Sequence, residues 1–207
     1  MNFKEALKQL RDISEKRNFD QTIEIIVNLK NFDPQRESIN TFLILENAQK
    51  KKVAAFLEKI TKSEAVSKIF TKSDLEKITP KEMKKFSREF DYFVASAKLM
   101  PVVASKFGKV LGVAGKMPDP KIGGVLMQEQ EELLKQLAEK LEKTIKIKAK
   151  EKSLKIAIGK ESMKDDVLAE NLDKTFKAVM AALPKKEFNL RNVMIKFTMS
   201  KPVKVKA

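Results

Sequence analysis

The chain has neither cysteine nor histidine among its 207 residues. The absence of cysteine excludes disulfides, thiolate catalysis and cysteine-based zinc sites, and it fits a reducing compartment. The absence of histidine removes the usual general base, the Ser-His-Asp triad and imidazole metal ligands. An enzyme built on this sequence would depend on carboxylates, lysines or hydroxyls. We predict that the chain is not an enzyme and carries no metal or cofactor.

The sequence also lacks an apolar run of the roughly 20 residues that a membrane-spanning helix needs. Lys98, Lys106 and Lys109 interrupt the longest apolar region. The N-terminal segment is amphipathic and has no apolar core of the kind found in a signal peptide. We therefore expect no membrane association and a cytoplasmic location.

Acidic residues are outnumbered, with 28 Asp and Glu against 43 Lys and Arg, for a net charge of +15. The excess grows along the chain: residues 1–47 carry −1, residues 48–142 carry +6 and residues 143–207 carry +10. A polyanionic partner is the natural inference, because each phosphate that a cation neutralises releases a counterion. Lysine dominates over arginine, which favours contacts to phosphates over bidentate contacts to bases.

Hydrophobic periodicity predicts helices and strands at both ends of the chain. The first part reads as a helix over 3–17, a strand over 22–30 and a second strand over 38–46. The last part reads as strands over 144–150 and 153–160, a helix from Asp165 to Pro184, and a strand over 192–198. In the last part lysines alternate with apolar residues, so one sheet face or edge should be strongly positive. The lysines concerned are Lys146, Lys148, Lys150 and Lys155.

The middle of the chain alternates short apolar segments with helical patterns, which is typical of a small parallel α/β unit. We predict helices near 63–70 and over 73–86, the second interrupted at Pro80, then a strand over 91–95 and a charged helix over 129–143. These patterns divide the chain into an α+β domain of residues 1–47 and 143–207 and an inserted α/β domain of residues 48–142. Two crossings between the domains make a hinge plausible.

The segment 90–121 begins as a strand, continues as a helix and ends in a loop that includes Gly112 and Gly115. A glycine-rich loop beside a lysine raises the possibility of phosphate binding. A P-loop, however, requires Gly-x-x-x-x-Gly-Lys-Ser/Thr. Met117 stands where the hydroxyl residue should be, and Val110 stands where the first glycine should be. The segment is therefore not a nucleotide-binding loop of this type.

Three segments together resemble one known family. They are NFDQTIEIIVNLKNFDP (18–34), LMPVVASKFGKVLGVAGKMPDPK (99–121) and FTMSKPVKVK (197–206). The resemblance is to the L-one family of large-subunit ribosomal proteins, in its archaeal form, and it runs from the first helix to the last strand. It implies a discontinuous α+β domain from both chain ends with an inserted Rossmann-like, three-layer α/β domain.

The resemblance also implies a function. Members are constituents of the large ribosomal subunit that bind the stalk region of large-subunit rRNA beside the tRNA exit site, where they assist release of exit-site tRNA. Many members bind a similar structure on their own mRNA and repress translation. The free protein is expected to be a monomer. Two alternatives stay open on sequence alone: a basic α/β nucleotide-binding protein or enzyme, and a non-ribosomal RNA chaperone or translational repressor.

The family's RNA-binding residues carry over by position onto this sequence. Threonine and glutamate offer polar groups to ribose 2′-hydroxyls, lysines meet phosphates, and methionine gives an apolar surface for close RNA approach. The implied set is Phe19, Thr22, Glu24, Lys30, Gly159, Lys160, Thr198, Met199, Ser200 and Lys201. Secondary RNA contacts are expected at Lys116, Lys121, Lys146, Lys148 and Lys155.

Some of these residues also have structural interpretations. Phe19 can act as a hydrophobic staple between helix and strand, and Glu24 can form a surface ion pair worth about 0–1 kcal/mol. The sequence departs from the family pattern at three places. Ser200 replaces a glycine, Val113-Ala114 replaces Pro-Arg, and residues 45–48 read Leu-Glu-Asn-Ala in place of Leu-Pro-His-Gly.

Overall fold

The protein folds as two compact units, described here from a computed structural model. The structure describes residues 2–34, 37, 39–45, 51–61, 63–149 and 151–205. The terminal unit comprises Met1–Gln49 and Thr144–Ala207, and the inserted unit comprises Lys50–Lys143. Each unit has a sheet and a core of its own.

The terminal unit contains three helical and six extended segments among the described residues. The helices are α1 (Phe3–Ile13), α6 (Asp165–Ala182) and a 3-10 helix (Lys186–Asn189). The strands are β1 (Thr22–Leu29), β2 (Asn40–Ile44), β7 (Thr144–Lys148), β8 (Ser153–Lys160), β9 (Leu190–Phe197) and β10 (Val203–Lys204).

The main sheet of the terminal unit is antiparallel and has the order β10-β9-β1-β8. Side chains alternate across it, as the pleat requires. Ile23, Ile25 and Val27 of β1 belong to a core that also contains Leu7 and Leu10 of α1 and several side chains of α6. Burying a leucine of this kind stabilises the fold by about 1.5–3 kcal/mol. The opposite face of the sheet carries polar residues, among them Thr22, Glu24 and Asn28 of β1.

Helix α1 is shorter than the predicted span of 3–17. Its buried stripe of Phe3, Ala6, Leu7 and Leu10 follows the helical period, and the Asn2 side chain accepts a hydrogen bond from the Glu5 N–H at its start. The helix ends at Ile13, and the Ser14 hydroxyl donates to the Arg11 carbonyl at 3.1 Å. A serine that bonds local backbone in this way competes with continuation of the helix.

The predicted lysine-rich face does not form as one surface. Strand β7 pairs with β2 in a separate two-stranded sheet, whereas β8 pairs with β1 in the main sheet. Lys146 and Lys148 therefore lie in a different sheet from Lys155. The prediction was wrong because alternation along each strand says nothing about which strands pair. Lys150 lies outside the described residues.

The inserted unit is a three-layer α/β fold. Its strands are β3 (Val53–Phe56), β4 (Lys68–Phe70), β5 (Tyr92–Ser96) and β6 (Val125–Leu126), and its helices are α2 (Lys72–Lys77), α3 (Pro80–Glu89), α4 (Met100–Ala114), a 3-10 helix (Pro120–Ile122) and α5 (Glu131–Glu142). All strand pairs are parallel, in the order β4-β3-β5-β6.

Strand β3 is buried on both faces. Ala54 and Phe56 pack with side chains of α2, α3 and α4, whereas Val53, Ala55 and Leu57 pack with side chains of α5. Helices therefore cover both sides of the sheet. The predicted fold class, an α+β domain from both chain ends with a three-layer α/β insertion, is confirmed.

The predicted helix near 63–70 is wrong. Lys68–Phe70 forms β4, which pairs with β3 so that Lys68 lies opposite Ala54. A short apolar segment can be a buried strand or a helix turn, and only the available partner decides between them. The predicted helix break at Pro80 is confirmed. Thr79 caps α3, with its side chain and that of Glu82 exchanging hydrogen bonds with backbone N–H groups.

The segment 90–121 is confirmed as strand, helix and loop, with one change. Gly112 lies inside α4, and the loop begins at Gly115, whose φ of 70° closes the helix in the left-handed conformation. A glycine adopts this conformation without the steric cost that a side chain would add. Val113 and Ala114 are therefore helical residues.

Candidate RNA interface

Three segments of the terminal unit meet at the beginning of β1. They are residues 18–22 before and at the start of β1, residues 159–163 at the end of β8, and residues 197–201 at the end of β9. Antiparallel pairing explains the meeting, since Thr22 lies opposite Lys160 and Ile23 lies opposite Phe197. We call this region the β1-start cluster. It brings together nearly all of the principal RNA-binding residues predicted from sequence.

Thr22 and Thr198 are joined by reciprocal hydrogen bonds. The Thr22 N–H donates to Thr198 Oγ1 at 3.1 Å, and that hydroxyl donates to the Thr22 carbonyl at 3.3 Å. A hydroxyl has one proton and two lone pairs. Thr198 Oγ1 therefore keeps one acceptor position, to which a ribose 2′-hydroxyl can donate a hydrogen bond.

Lys160 positions the second threonine hydroxyl of the cluster. Its Nζ donates to Thr22 Oγ1 at 3.1 Å and to the Asp20 carbonyl at 3.2 Å. The Thr22 hydroxyl thus accepts from the ammonium group and keeps its own proton for an outside acceptor, such as a phosphate or ribose oxygen. The ammonium group itself carries a third proton and a positive charge.

Gln21 is the buried anchor of the cluster and was missed in the sequence analysis. Its side chain is only 1 % exposed. Its Oε1 accepts from the Met199 N–H at 3.1 Å, and its Nε2 donates to Glu161 Oε2 at 3.1 Å. One side chain therefore ties the β9 end to the β8 end. The available signal was the period of β1, which places Gln21 on the inward face with Ile23.

Asp20 adds a second tie to the β8 end. Its carboxylate accepts from the Ser162 N–H at 3.1 Å and from the Ser162 hydroxyl at 2.8 Å. Because these bonds hold the backbone, the two large apolar side chains nearby stand out toward solvent. Phe19 is 51 % exposed and Met199 is 61 % exposed. Such side chains give an apolar surface for the sugar or base of a bound nucleotide.

Gly159 and Ser200 have structural roles. A Cβ at Gly159 would lie 2.8 Å from Met163 Sδ and 2.9 Å from Leu168 Cδ2, so the close approach there is to this chain's own side chains. The Ser200 hydroxyl accepts from the Phe197 N–H at 2.9 Å and reaches the Lys201 carbonyl at 3.1 Å. The serine that replaces a glycine is therefore engaged in its own turn.

Glu24, Lys155 and Lys196 lie farther along the polar face of the sheet. Glu24 lies opposite Ala157 of β8 and Lys196 of β9, and Lys155 lies opposite Ile26, two positions along the same face. This face therefore presents one carboxylate between basic groups. It can accept from ribose hydroxyls at Glu24 and meet phosphates at the lysines.

Lys30 lies apart from the cluster. It follows Leu29 at the opposite end of β1, about 26 Å from Thr22 at 3.3 Å per residue. Its N–H donates to the Asn189 carbonyl at 2.8 Å, beside the loop that precedes β9. A single nucleotide cannot contact both Lys30 and Thr198.

The lysines predicted as secondary contacts are scattered. Lys116 Nζ donates to the Phe90 carbonyl at 2.7 Å, at the end of α3. Burial lowers the pKa of the Lys116 ammonium group, and nearby Asp91 opposes this shift. Lys146 Nζ lies 5.4 Å from the centre of the Phe42 ring. Lys121 is in the 3-10 helix of the inserted unit, and Lys148 is exposed on β7. The sequence alone did not show which of these lysines contact the protein itself and which are exposed.

Glu129 fills the position where a parallel α/β fold usually binds an anion. Ligands bind such folds beyond the carboxyl ends of the strands, where the strand order reverses. Here that point lies between β3 and β5, and the Glu129 carboxylate accepts from the Glu58 N–H at 3.1 Å and from the Lys59 N–H at 2.6 Å. The backbone N–H groups that could hold a phosphate are therefore used by the protein's own carboxylate.

Burial disfavours the charged form of the Glu129 carboxyl, but the hydrogen bonds that this carboxylate accepts have the larger combined effect. Donors are the Lys59 N–H, the Ser96 hydroxyl and the Glu58 N–H, and together they hold the pKa of the Glu129 carboxyl below its ordinary value. The carboxylate is therefore a stable internal ligand at neutral pH.

The described part of the chain contains neither a metal site nor a membrane-spanning helix. Among those residues, no group of three or more acidic side chains is placed to hold a metal ion. None of the helices in the same residues combines the length and apolar character needed to cross a bilayer.

The fold and the β1-start cluster define a class of protein: a basic, two-unit α/β protein whose discontinuous unit carries a surface of polar and exposed apolar side chains. Residues 8–201 match the ribosomal protein L1p/L10e family, and the chain belongs to that family. The prediction of the family is confirmed. Because this is a family of ribosomal proteins, the prediction that the chain is not an enzyme is confirmed as well.

Archaeal relatives match over nearly their whole length. A large ribosomal subunit protein uL1 from Nanoarchaeum equitans is 34 % identical, with 97 % of this chain and 98 % of that protein covered. A protein of the same name from Pyrococcus abyssi is 32 % identical, with 98 % of this chain and 94 % of that protein covered. Another from Thermococcus kodakarensis is 33 % identical, with 97 % of this chain and 95 % of that protein covered.

Proposed function

We propose that this chain is a structural constituent of the large ribosomal subunit and that its terminal unit binds the folded stalk region of large-subunit rRNA. The observation that carries the proposal is the β1-start cluster. Thr22, Lys160 and Thr198 form one hydrogen-bonded group there, next to exposed Met199. This arrangement offers a hydroxyl proton, an acceptor, a cation and an apolar surface within one small area.

The chemistry favours RNA over DNA. A ribose 2′-hydroxyl can donate to Thr198 Oγ1 and can accept from the Thr22 hydroxyl, and DNA has no such group. The cluster offers few groups for reading base edges. We therefore expect recognition of RNA shape and sugar positions, supported by phosphate contacts from lysines.

Finer roles extend the same proposal. We propose, from what the family resemblance implies, that the protein assists release of exit-site tRNA, represses translation by binding a similar structure on its own mRNA, works in the cytoplasm and is a monomer when free. The nucleotide-binding alternative is disfavoured because Glu129 occupies the usual anion position. A dedicated repressor outside the ribosome differs in one respect that can be measured: it would not sediment with large subunits.

The direct test measures binding of the full chain to an isolated rRNA stalk fragment and to an unrelated hairpin of equal length at matched salt. We expect clear preference for the stalk fragment. The Lys160→Gln variant should bind it more weakly and should reduce the slope of log affinity against log salt by about 1. Lys135→Gln, on the exposed side of α5, is the matched control and should change neither quantity. Equal affinity for the two RNAs would contradict the proposal.

A further inference from the structure

A second candidate surface lies at the other end of β1, between the end of α6 and the start of β9. It is a groove of about 1040 Å³ whose apolar floor includes Phe176, Met180 and Leu190. Lys185 and Lys186 line the same groove, beside Phe188. We call this region the Phe188 groove. The family resemblance did not point to it.

The Phe188 ring is exposed to solvent on a loop that hydrogen bonds of Asn189 anchor. Phe188 is 79 % exposed, which is unusual for a phenylalanine, whereas the next residue, Asn189, is fully buried. Asn189 Nδ2 donates to the carbonyls of Lys30 and Asn31 at 3.2 and 2.9 Å, and its Oδ1 accepts from the Lys185 N–H at 2.8 Å. The anchor therefore fixes the loop on both sides of the exposed ring.

Backbone strain is concentrated at this anchor. Among the described residues, the non-glycine residues with positive φ are Asn31, at 52°, and Lys186, at 45°. Asn189 hydrogen-bonds to the carbonyl of Asn31 and to the N–H of Lys185, the neighbour of Lys186. Asparagine adopts this conformation readily, but a lysine there is strained and persists only where the surrounding structure imposes it. Strained residues of this kind cluster at binding sites more often than elsewhere.

Charge and ring exposure identify the occupant. Lys177, Lys185 and Lys186 line the groove with the ring, against one carboxylate, that of Glu187. Lys30, which is separate from the β1-start cluster, is bonded to Asn189 through its backbone. An exposed aromatic ring beside lysines is the arrangement with which proteins hold unpaired nucleotides, because the ring stacks on a base and the lysines meet the phosphates. The net charge of +10 over residues 143–207 also favours a polyanion.

We propose that the Phe188 groove binds an unpaired nucleotide of RNA, with the base stacked on Phe188 and the flanking phosphates at Lys185 and Lys186. This inference rests on the proposed RNA-binding function and adds a second contact about 26 Å from Thr22, along the length of β1. An RNA that used both regions would need an unpaired nucleotide at that distance from its folded contact. Lys30 then belongs to the second contact.

The test uses the full chain and a six-nucleotide single-stranded oligoadenylate as the probe. Stacking of a base on one aromatic ring contributes to affinity, so the Phe188→Ala variant should bind the probe about tenfold more weakly, which corresponds to about 1.4 kcal/mol. Phe188→Tyr keeps the ring and should bind like the parent. Met127→Ala removes another apolar side chain, 85 % exposed in the inserted unit, and should have no effect.

Separate outcomes distinguish this inference from the proposed function. Thr198→Val should weaken binding of the rRNA stalk fragment while leaving oligoadenylate binding unchanged. If the stalk fragment binds specifically but the oligoadenylate does not bind, or binds Phe188→Ala as well as the parent, the second contact is wrong and the first stands. An acidic amphipathic peptide that displaced the oligoadenylate and bound more tightly would also overturn it, since the groove would then be a protein-docking site.

Discussion

Single residues in the β1-start cluster combine a structural role with the binding role that we propose. Thr198 donates to and accepts from the backbone of Thr22, yet keeps one lone pair for an outside donor. Gln21 has no group facing solvent, yet it holds the Met199 backbone in place. Function at this scale depends on which hydrogen-bond positions the fold leaves unused.

Replacing Thr198 by valine tests the role of its hydroxyl. The change keeps the shape of the side chain but removes an acceptor for RNA and a donor to Thr22. We expect RNA affinity to fall by about 1–3 kcal/mol, which is the cost of leaving a polar partner unsatisfied. Titration of the rRNA stalk fragment measures the loss, and circular dichroism checks the fold. Unchanged affinity in a folded variant would show that Thr198 is structural only.

Gly159→Ala separates a packing role from an RNA role. A Cβ at this position meets Met163 Sδ and Leu168 Cδ2 within 3 Å, so we expect the free energy of unfolding to fall by about 1–3 kcal/mol. Gly108, inside α4, is the matched control, because nothing lies within 4 Å of the new Cβ. Alanine there should stabilise the protein by about 0.5–1 kcal/mol. Urea unfolding of the two variants compares them, and equal stability would contradict the packing argument.

At the scale of elements, the inserted unit uses side chains to finish its helices and loops. Thr71 and Thr79 begin α2 and α3 with capping boxes. Lys106 and Lys116, from α4 and the loop after it, donate to carbonyls at the ends of α2 and α3. Several of this unit's lysines therefore support the fold, and net charge alone overstates how many are available to a polyanion.

Glu129→Gln should loosen the loop after β3. The carboxylate receives hydrogen bonds from consecutive backbone N–H groups, and a neutral amide accepts more weakly. We expect a loss of about 1–2 kcal/mol in the free energy of unfolding at pH 7. Glu139→Gln, at an exposed position of α5, should stay within about 0.5 kcal/mol of the parent.

The stability difference between the parent and Glu129→Gln should depend on pH. The folded protein holds the pKa of Glu129 below its ordinary value of 4.5, so the carboxylate stabilises the fold above that value. This contribution is lost as pH falls through the lower, folded-state pKa. The stability difference between parent and Glu129→Gln should therefore shrink as the solution is acidified. A difference that stayed constant down to pH 3 would show that the bonds do not depend on the charge.

At the scale of the whole molecule, one unit is built from both ends of the chain and the other is inserted into it at a single place. Ile44 of β2 lies opposite Thr144 of β7, so the chain leaves the terminal unit and returns to it at paired positions of one ladder. All members of the β1-start cluster belong to that unit, as does the Phe188 groove. The RNA-binding surfaces that we propose therefore do not require residues of the inserted unit.

Excision of the insertion tests this independence. Replacing residues 46–143 by a Gly-containing turn of about four residues should close β2 and β7 into a hairpin. We expect the shortened protein to fold and to retain most of its affinity for the rRNA stalk fragment, because its core and the β1-start cluster are intact. Loss of binding in a folded protein of this kind would place an essential contact in the inserted unit. A matched titration of the full chain supplies the comparison.

Much of the candidate site could be predicted because its residues stand at strand ends. The period of β1 places Thr22 on the polar face, and the three-segment resemblance supplied the set of site residues, including Thr198 just after β9. Gln21 was missed although the period of β1 places it on the inward face with Ile23, because that period does not show which polar groups a buried amide will meet. Lys30 and Ser200 were named with the cluster, although one lies at the opposite end of β1 and the other is bonded within its own turn.

Local pattern sufficed for most of the helices, for the alternation along β1 and for the basic charge of the last third, because these depend on spacing and composition. Long-range pairing settled the rest. It made Lys68–Phe70 a strand, separated β7 from β8, brought three distant segments to the start of β1 and joined the Lys30 backbone to Asn189. The physical reason is that a strand's own residues determine its faces, whereas its partners depend on which other strands the folded chain brings beside it.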